Sequence, residues 1–170
     1  MILVLDTSPL IALARIDSLA FLRPLADQVV IPEAVYMESV DHASGRPGSA
    51  EIAQADWIVR RPVQNQADVV RLRLRLGWGE AEAIVLAREI GADAVVLDDA
   101  TARQMAEHEG CRVVGLLGLL IAGKQRGLLA AVKPLLDALR RNGFFIGDDL
   151  YATILRHASE DSSHHRTIEH

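Results

Sequence analysis

The sequence predicts an α/β protein of three-layer α/β/α architecture, with a central parallel sheet of four to five strands and extra helices toward its C-terminal end. Three observations carry this. Short aliphatic runs alternate with helical patterns, and no hairpin turn signal lies between them, which is the rhythm of βαβ units. Aromatic residues make up only 4 % of the 170 residues while half of the chain is apolar, so aliphatic side chains and alanine must build the core. That balance suits helices packed on a sheet better than a β-sandwich. The length suits one domain, expected over 1–158, with a loose polar tail at 159–170.

Each element has its own signal. "ILVL" reads as a short buried strand, and Ser8-Pro9 start a helix that "LIALARI" continues, serine as cap and proline at the first helical position. "QVVI" is a second strand, and Pro32 opens the helix "PEAVYMESV". "DHASGRPGSA" is a loop broken by Gly45, Pro47 and Gly48, and "WIVRRPV" is a third strand. "NQADVVRLRLRLG" alternates like a strand, but Val69, Leu72 and Leu76 also share a helix face; a helix ending at Gly77 is the reading adopted. "GEAEAIVLAREIG" is a helix closed by Gly91, "DAVVLDD" a fourth strand, "ATARQMAEHEG" a helix and "CRVVG" a fifth strand. Three helices follow in "LLGLLIAGKQRG", "VKPLLDALRRNG" and "DDLYATILRHA", expected to cover one flank of the sheet.

Composition excludes several classes. A net charge of −5 argues against a protein that grips duplex nucleic acid along its phosphates, so any such contact must be local or helped by cations. The single cysteine, Cys111, permits neither an internal disulfide nor a cysteine-rich zinc site and reads as a small core residue. The first residues lack a basic n-region, and "VVGLLGLLIAG" is too short to span a bilayer, so a cytoplasmic protein is expected, with no membrane partner. There is no G-x-x-x-x-G-K-[ST] or G-x-G-x-x-G loop, and no histidine pair has helical metal spacing; His42 sits in a loop and His164 and His165 in the tail.

The chemistry gathers in carboxylates. In an open parallel sheet, ligands sit beyond the carboxyl ends of the strands. Asp6 follows the first strand and Asp98 and Asp99 the fourth; Glu38 lies late in the helix after the second, and Glu80 and Glu82 begin the "GEAEAIVLA" helix. Singly, each has a plain explanation: Asp6, Asp98 or Asp99 as helix caps, Glu80 or Glu82 as a charge on a helix dipole, Glu38 as a solvated acid. Together, acids at one mouth repel each other, and a divalent cation resolves that. Oxygen ligands suit one or two Mg²⁺ or Mn²⁺ ions, which can activate water against a phosphodiester. Glu80 and Glu82 stand about 200° apart on a helix, so only one of them can face the site.

The ordered set "VLDTSPLIALARI", "VVIPEAVYMES", "GEAEAIVLA" and "AVVLDDATAR" resembles the PIN-domain ribonucleases in their PilT N-terminus-like branch. "VVGLLGLLIAGKQRG" and "VKPLLDALRRNGFFIGDDLY" resemble the C-terminal pattern of the DUF3368 subfamily. The resemblance implies a parallel α/β/α sheet, metal-dependent RNA cleavage and often a toxin role in a toxin–antitoxin pair. It implies Asp6, Glu38, Glu82 and Asp99 as the catalytic acids, with Asp6, Glu82 and Asp99 as metal ligands and Thr7 or Ser8 holding a metal-bound water. Two departures stand out: Leu97 replaces the usual hydroxyl residue, and Asp98 adds a carboxylate, so either aspartate of the pair is a candidate ligand. Glu80 remains a possible support.

The expected activity is therefore cleavage of single-stranded RNA to 5′-phosphate and 3′-hydroxyl ends. Arg71 and Arg75, four apart, are candidates for guiding RNA, with Arg60, Arg61 and Arg103 beside them. An antitoxin protein follows from the resemblance alone, and a homodimer from the apolar helices together with the resemblance. One alternative is an inactive PIN-like module that binds nucleic acid or protein. The other is a phosphatase-like hydrolase using Asp6 as nucleophile, against which position eight is serine where that chemistry favours aspartate.

Overall fold

A computed structural model describes residues 1–161. Within them the chain forms two compact units, one over 1–116 and one beginning at Leu117. The first unit holds a five-stranded, all-parallel sheet ordered β3-β2-β1-β4-β5, formed by β1 (Ile2–Leu5), β2 (Gln28–Pro32), β3 (Ile58–Arg61), β4 (Ala94–Val96) and β5 (Val113–Val114). The expected parallel three-layer α/β/α fold is what the chain adopts.

The helices of this unit are α1 (Thr7–Arg15), α2 (Leu22–Leu25), α3 (Glu33–Tyr36), α4 (Ser49–Gln54), α5 (Gln66–Leu72), α6 (Trp78–Glu89) and α7 (Ala100–His108). Sheet residues alternate between faces. Val4, Val30 and Val95 pack with Val69 and Leu72 of α5, Ile84 of α6 and Ala102 and Ala106 of α7. The intervening Leu3, Leu5, Val29, Ile31 and Val96 are equally buried and turn the other way, toward the side where α1 and α2 carry Leu10, Leu13, Leu22 and Leu25. Right-handed crossovers require this split, because β1→β2 and β4→β5 step in opposite directions across the sheet. Helix α6 is buried from Gly79 to Ala87, save for Glu80, and its alanines let it lie close on β1, β2 and β4. Cys111 is half-buried against this core, and burial pushes its thiol up.

Several local expectations are corrected. Helix α1 starts at Thr7, so Pro9 is its third residue; its missing N–H costs nothing in a first turn that has no intrahelical acceptor. The segment Leu19–Leu25, unassigned from sequence, forms a 3₁₀ turn and α2. The loop after residue 41 ends at Gly48, where α4 begins. The helix opened by Pro32 widens at Met37–Asp41 into a π-helical turn. Helix α5 stops at Leu72, and Gly77 is extended at φ −65°, heading α6 rather than closing α5. Gly91, at φ +60°, does terminate α6 in the left-handed conformation that favours glycine.

The second unit contains the three expected C-terminal helices, α8 (Leu116–Gln125, which opens it), α9 (Lys133–Arg141) and α10 (Asp148–His157). The α9 and α10 segments are tied by Tyr151, whose hydroxyl donates to Asp137 at 2.6 Å. Glu160, expected to belong to a loose tail, instead accepts the Val132 and Lys133 N–H groups at 2.6 and 2.9 Å at the start of α9. Residues 162–170 of the expected tail, including His164 and His165, lie outside the described residues. Among the described residues no helix is long and apolar enough to cross a membrane.

Candidate active site

The sheet order makes the crevice between β1 and β4 a topological switch point. From β1 the chain runs outward through β2 to β3, and from β4 it runs the opposite way to β5. Their registers bring Leu5 beside Val96, and Asp6 N–H donates to the Val96 carbonyl at 3.2 Å. The acids that follow these two strands therefore share one end of the sheet, which is where ligands bind in such folds.

Asp6 stands at the N-cap position of α1, yet its side chain makes no capping bond. It is 5 % exposed, and its carboxyl is pushed up to about 7. Burial is the main cause; the Thr7 N–H pulls the other way, while the charges of Glu80, Glu38 and Asp98 add to the rise. Glu38 comes from the π-helical turn and reaches the same place. Its Oε1 accepts the Gly79 N–H at 3.0 Å and its Oε2 the Thr7 hydroxyl at 2.5 Å. Gly79 is required by closeness: a methyl group there would meet Glu38 Oε2 at 2.5 Å, Thr7 Oγ1 at 3.0 Å and Asp6 Oδ1 at 3.1 Å. Thr7, Asp6 and Glu38 thus converge over the first turn of α6. Ser8, the alternative to Thr7, is exposed.

The aspartate pair divides. Asp99 is the N-cap of α7, its Oδ1 accepting the Ala102 N–H at 2.9 Å, and it is exposed. Asp98 turns the other way. Its Oδ1 accepts the Leu116 N–H at 3.0 Å, and its Oδ2 is buried with no hydrogen-bond partner among the described residues. Burial raises the Asp98 carboxyl, against the pull of the Leu116 N–H and of Arg103. A methyl group on Gly115 would lie 2.7 Å from Arg103 Nη1 and 3.3 Å from Asp98 Oδ1, so the guanidinium stands beside this carboxylate.

The glutamates of α6 also separate. Glu80 accepts the Gly77 N–H at 3.0 Å and is one of the charges acting on Asp6. Glu82 is 6 % exposed and braces the fold: it accepts the Ala34 N–H at 2.8 Å and the Trp78 indole N–H at 3.2 Å. The structure thus brings Asp6, Glu38, Glu80 and Asp98 toward one another. The Glu82 and Asp99 carboxylates, like those of Glu38, Glu80 and Asp98, accept backbone N–H groups. Arg71 is held by Glu109 at 2.8 Å and by Asp68, and it lines with Arg75 a separate cavity of about 400 Å³ on α7. Of the five arginines expected to guide RNA, Arg103 is the one placed beside Asp98.

The donors fit a hard divalent cation in chemistry. They are oxygen groups, mutually repelling, with one buried oxygen left without a partner. They are not closed into a cage: among the described residues no three carboxylate, histidine or cysteine side chains stand together as a metal-holding group.

Sequence reasoning missed Trp78 and Met37, which lie beside Glu38 on an open cavity with His42. The available signal was a tryptophan between two glycines at a helix start.

Comparison with known proteins follows the same lines. The family model described as DUF3368, PIN domain, matches residues 2–160. Among solved structures, a PilT N-terminus domain protein from the hyperthermophilic archaeon Sulfolobus solfataricus P2 superposes with a TM-score of 0.50 at 18 % identity, over 72 % of this chain and 92 % of that one. At that identity the likeness speaks for the fold alone. No curated protein matches the chain.

Proposed function

The chain belongs to the PIN-domain family, whose members are in general nucleases, and from that premise we propose that it is a metal-dependent endoribonuclease acting on single-stranded RNA. One observation carries the reading: a buried aspartate, raised to about 7, stands at the switch point under the charges of Glu80, Glu38 and Asp98, and one oxygen of Asp98 is buried without a hydrogen-bond partner among the described residues. Acids are held in this costly state where a cation or a proton transfer needs them.

In this reading Asp6, Asp98 and Glu38 would hold Mg²⁺ or Mn²⁺, with Glu80 in support. When bound, such an ion polarises a phosphoryl oxygen and lowers the pKa of water. The chain's own groups do the rest. The Thr7 hydroxyl and the Gly79 N–H fix the Glu38 carboxylate, which orients the attacking water. Arg103, beside Asp98, offers positive charge to the phosphate of an otherwise acidic protein. Glu82 and Asp99 keep α3, α6 and α7 in place around them. The products carry 5′-phosphate and 3′-hydroxyl ends, because water and not the ribose hydroxyl attacks.

We further place the chain as the toxin of a type II toxin–antitoxin pair, acting in the cytoplasm as a homodimer. Its antitoxin protein would lay an arginine or lysine among the acids. The acidic crevice supports this, since it is the surface a basic side chain would fill.

The test is incubation of an RNA pool with the purified chain and Mg²⁺ or Mn²⁺, comparing wild type with Asp6→Asn. Cleavage by the wild type that chelator and the substitution both abolish is the expected result. Binding of RNA without cleavage at any metal concentration would instead make the chain an inactive binding module.

A further inference from the structure

Next to the acids, a largely apolar cavity of about 460 Å³ opens on α3, the π-helical turn and the start of α6. Met37 and Trp78 line it together with the carboxylates Glu33, Glu38 and Glu82. Trp78 is 52 % exposed, so burial explains little of its presence. It is nevertheless held firmly. Its indole N–H donates to buried Glu82 at 3.2 Å, and the Arg73 guanidinium lies 4.1 Å from the ring centroid. An immobilised, half-exposed ring on an apolar wall is a stacking platform prepared in advance.

The polar lining states what the occupant must offer. Glu33, Glu38 and Glu82 are acceptors, Glu33 already paired with Arg60, and His42 is the remaining polar side chain of a mostly anionic lining that repels phosphate. A planar group that presents an edge rich in N–H donors fits; one whose edge is mostly carbonyl oxygen does not. Glu38 belongs both to this cavity and to the cluster around Asp6, so a group seated here lies one step from the proposed scissile bond.

We propose that this cavity takes one unpaired base of the RNA, stacked on Trp78 and read through its N–H donors by the carboxylates, with guanine favoured. This rests on the nuclease reading and gives it a sequence preference. Guanine presents N1–H and its 2-amino group side by side, as one carboxylate accepts them. Adenine and cytosine present one amino group each. Uracil turns two carbonyls toward the acids. Unpaired bases are commonly recognised by stacking on aromatic side chains and by bonds to the Watson–Crick edge.

The test is binding in EDTA, where cleavage plays no part. The probes are fluorescein-labelled U₈ and the same octamer with one central guanine. The guanine octamer is expected to bind wild type roughly tenfold tighter, Trp78→Ala to erase that difference, and Trp78→Phe to keep much of it. A Trp57→Phe variant leaves Trp78 the sole tryptophan. Its emission should be quenched by the guanine octamer at concentrations where U₈ has no effect, a readout that needs no truncation at Trp78. Equal binding and equal quenching by the two octamers would overturn the proposal, as would quenching by an arginine-rich peptide and by neither RNA, which would make the cavity a protein-docking site. A chain that cleaves RNA without base preference would defeat this inference while leaving the nuclease reading intact. Failure to cleave would defeat only the latter.

Discussion

Replacing Asp6 by asparagine should stabilise the metal-free protein at neutral pH, because the aspartate is held there against its own preference. Its carboxyl is raised from an ordinary 3.8 to about 7, chiefly by burial. A folded-state pKa above the unfolded one means that the folded chain binds the proton more tightly. Stability is therefore full below about pH 4 and falls as pH rises through 7. Three pH units correspond to about 4 kcal/mol, an upper figure because part of the rise comes from the neighbouring charges of Glu80, Glu38 and Asp98. Asparagine has no such titration. In EDTA, urea unfolding followed by circular dichroism should give wild type and Asp6→Asn similar stabilities near pH 4. By pH 8 the variant should lead by about 2–4 kcal/mol, or roughly 5–15 °C in Tm for a chain of this size. Titratable groups common to both proteins largely cancel in the difference. Mg²⁺ at pH 8 should then raise the wild-type midpoint and leave the variant's nearly unchanged, since ligand that binds only the folded state adds stability by mass action. A difference between the two proteins that stays flat from pH 4 to pH 8 would refute the reasoning.

Two further outcomes separate the acids that brace from those that act. Asp99→Ala removes the α7 cap and should cost about 1 kcal/mol in urea unfolding with RNA cleavage retained. Asp98→Asn should leave stability equal or higher and reduce cleavage roughly a hundredfold. Gly79→Ala adds a good helix former, worth about 0.5–1 kcal/mol, but its methyl group meets Glu38 Oε2 at 2.5 Å. Cleavage should fall on the order of a hundredfold while Tm holds or rises, because a displaced carboxylate loses its aim.

The sheet was legible because each strand is a short aliphatic run whose burial is forced, and because five such runs without hairpin signals leave a parallel sheet as the one economical arrangement. The place of the site was legible for the same reason: acids after β1 and β4 had to meet once those strands became neighbours. What sequence could not resolve is which acid of each close pair points inward. Asp98 and Asp99 differ by one residue, and the choice turns on the Leu116 N–H, eighteen residues away, which takes Asp98 and leaves Asp99 to cap α7. Glu82 accepts the N–H of Ala34, 48 residues away, a bond that no local pattern announces. The π-helical turn at Glu38 was equally hidden, since no residue type announces one extra residue in a helical turn.

This division of labour bears on how so acidic a crevice folds at all. Four carboxylates with no bonds to the backbone would repel one another and demand protons or cations before the chain could close. Here the acids near the switch point are anchored by N–H groups or hydroxyls of their own helix or of a neighbouring element: Glu82 by Ala34, Asp99 by Ala102, Glu80 by Gly77, Glu38 by Gly79 and Thr7, and Asp98, through one oxygen only, by Leu116, while Asp6 has the Thr7 N–H beside it and stays the most perturbed. Most of these donors head a helix, where N–H groups lack intrahelical partners and the dipole favours negative charge. The folding cost is thereby concentrated on Asp6 and on the free oxygen of Asp98. Under the proposed function those two are where a cation would gain most by binding, and they are where substitution should separate stability from activity most cleanly.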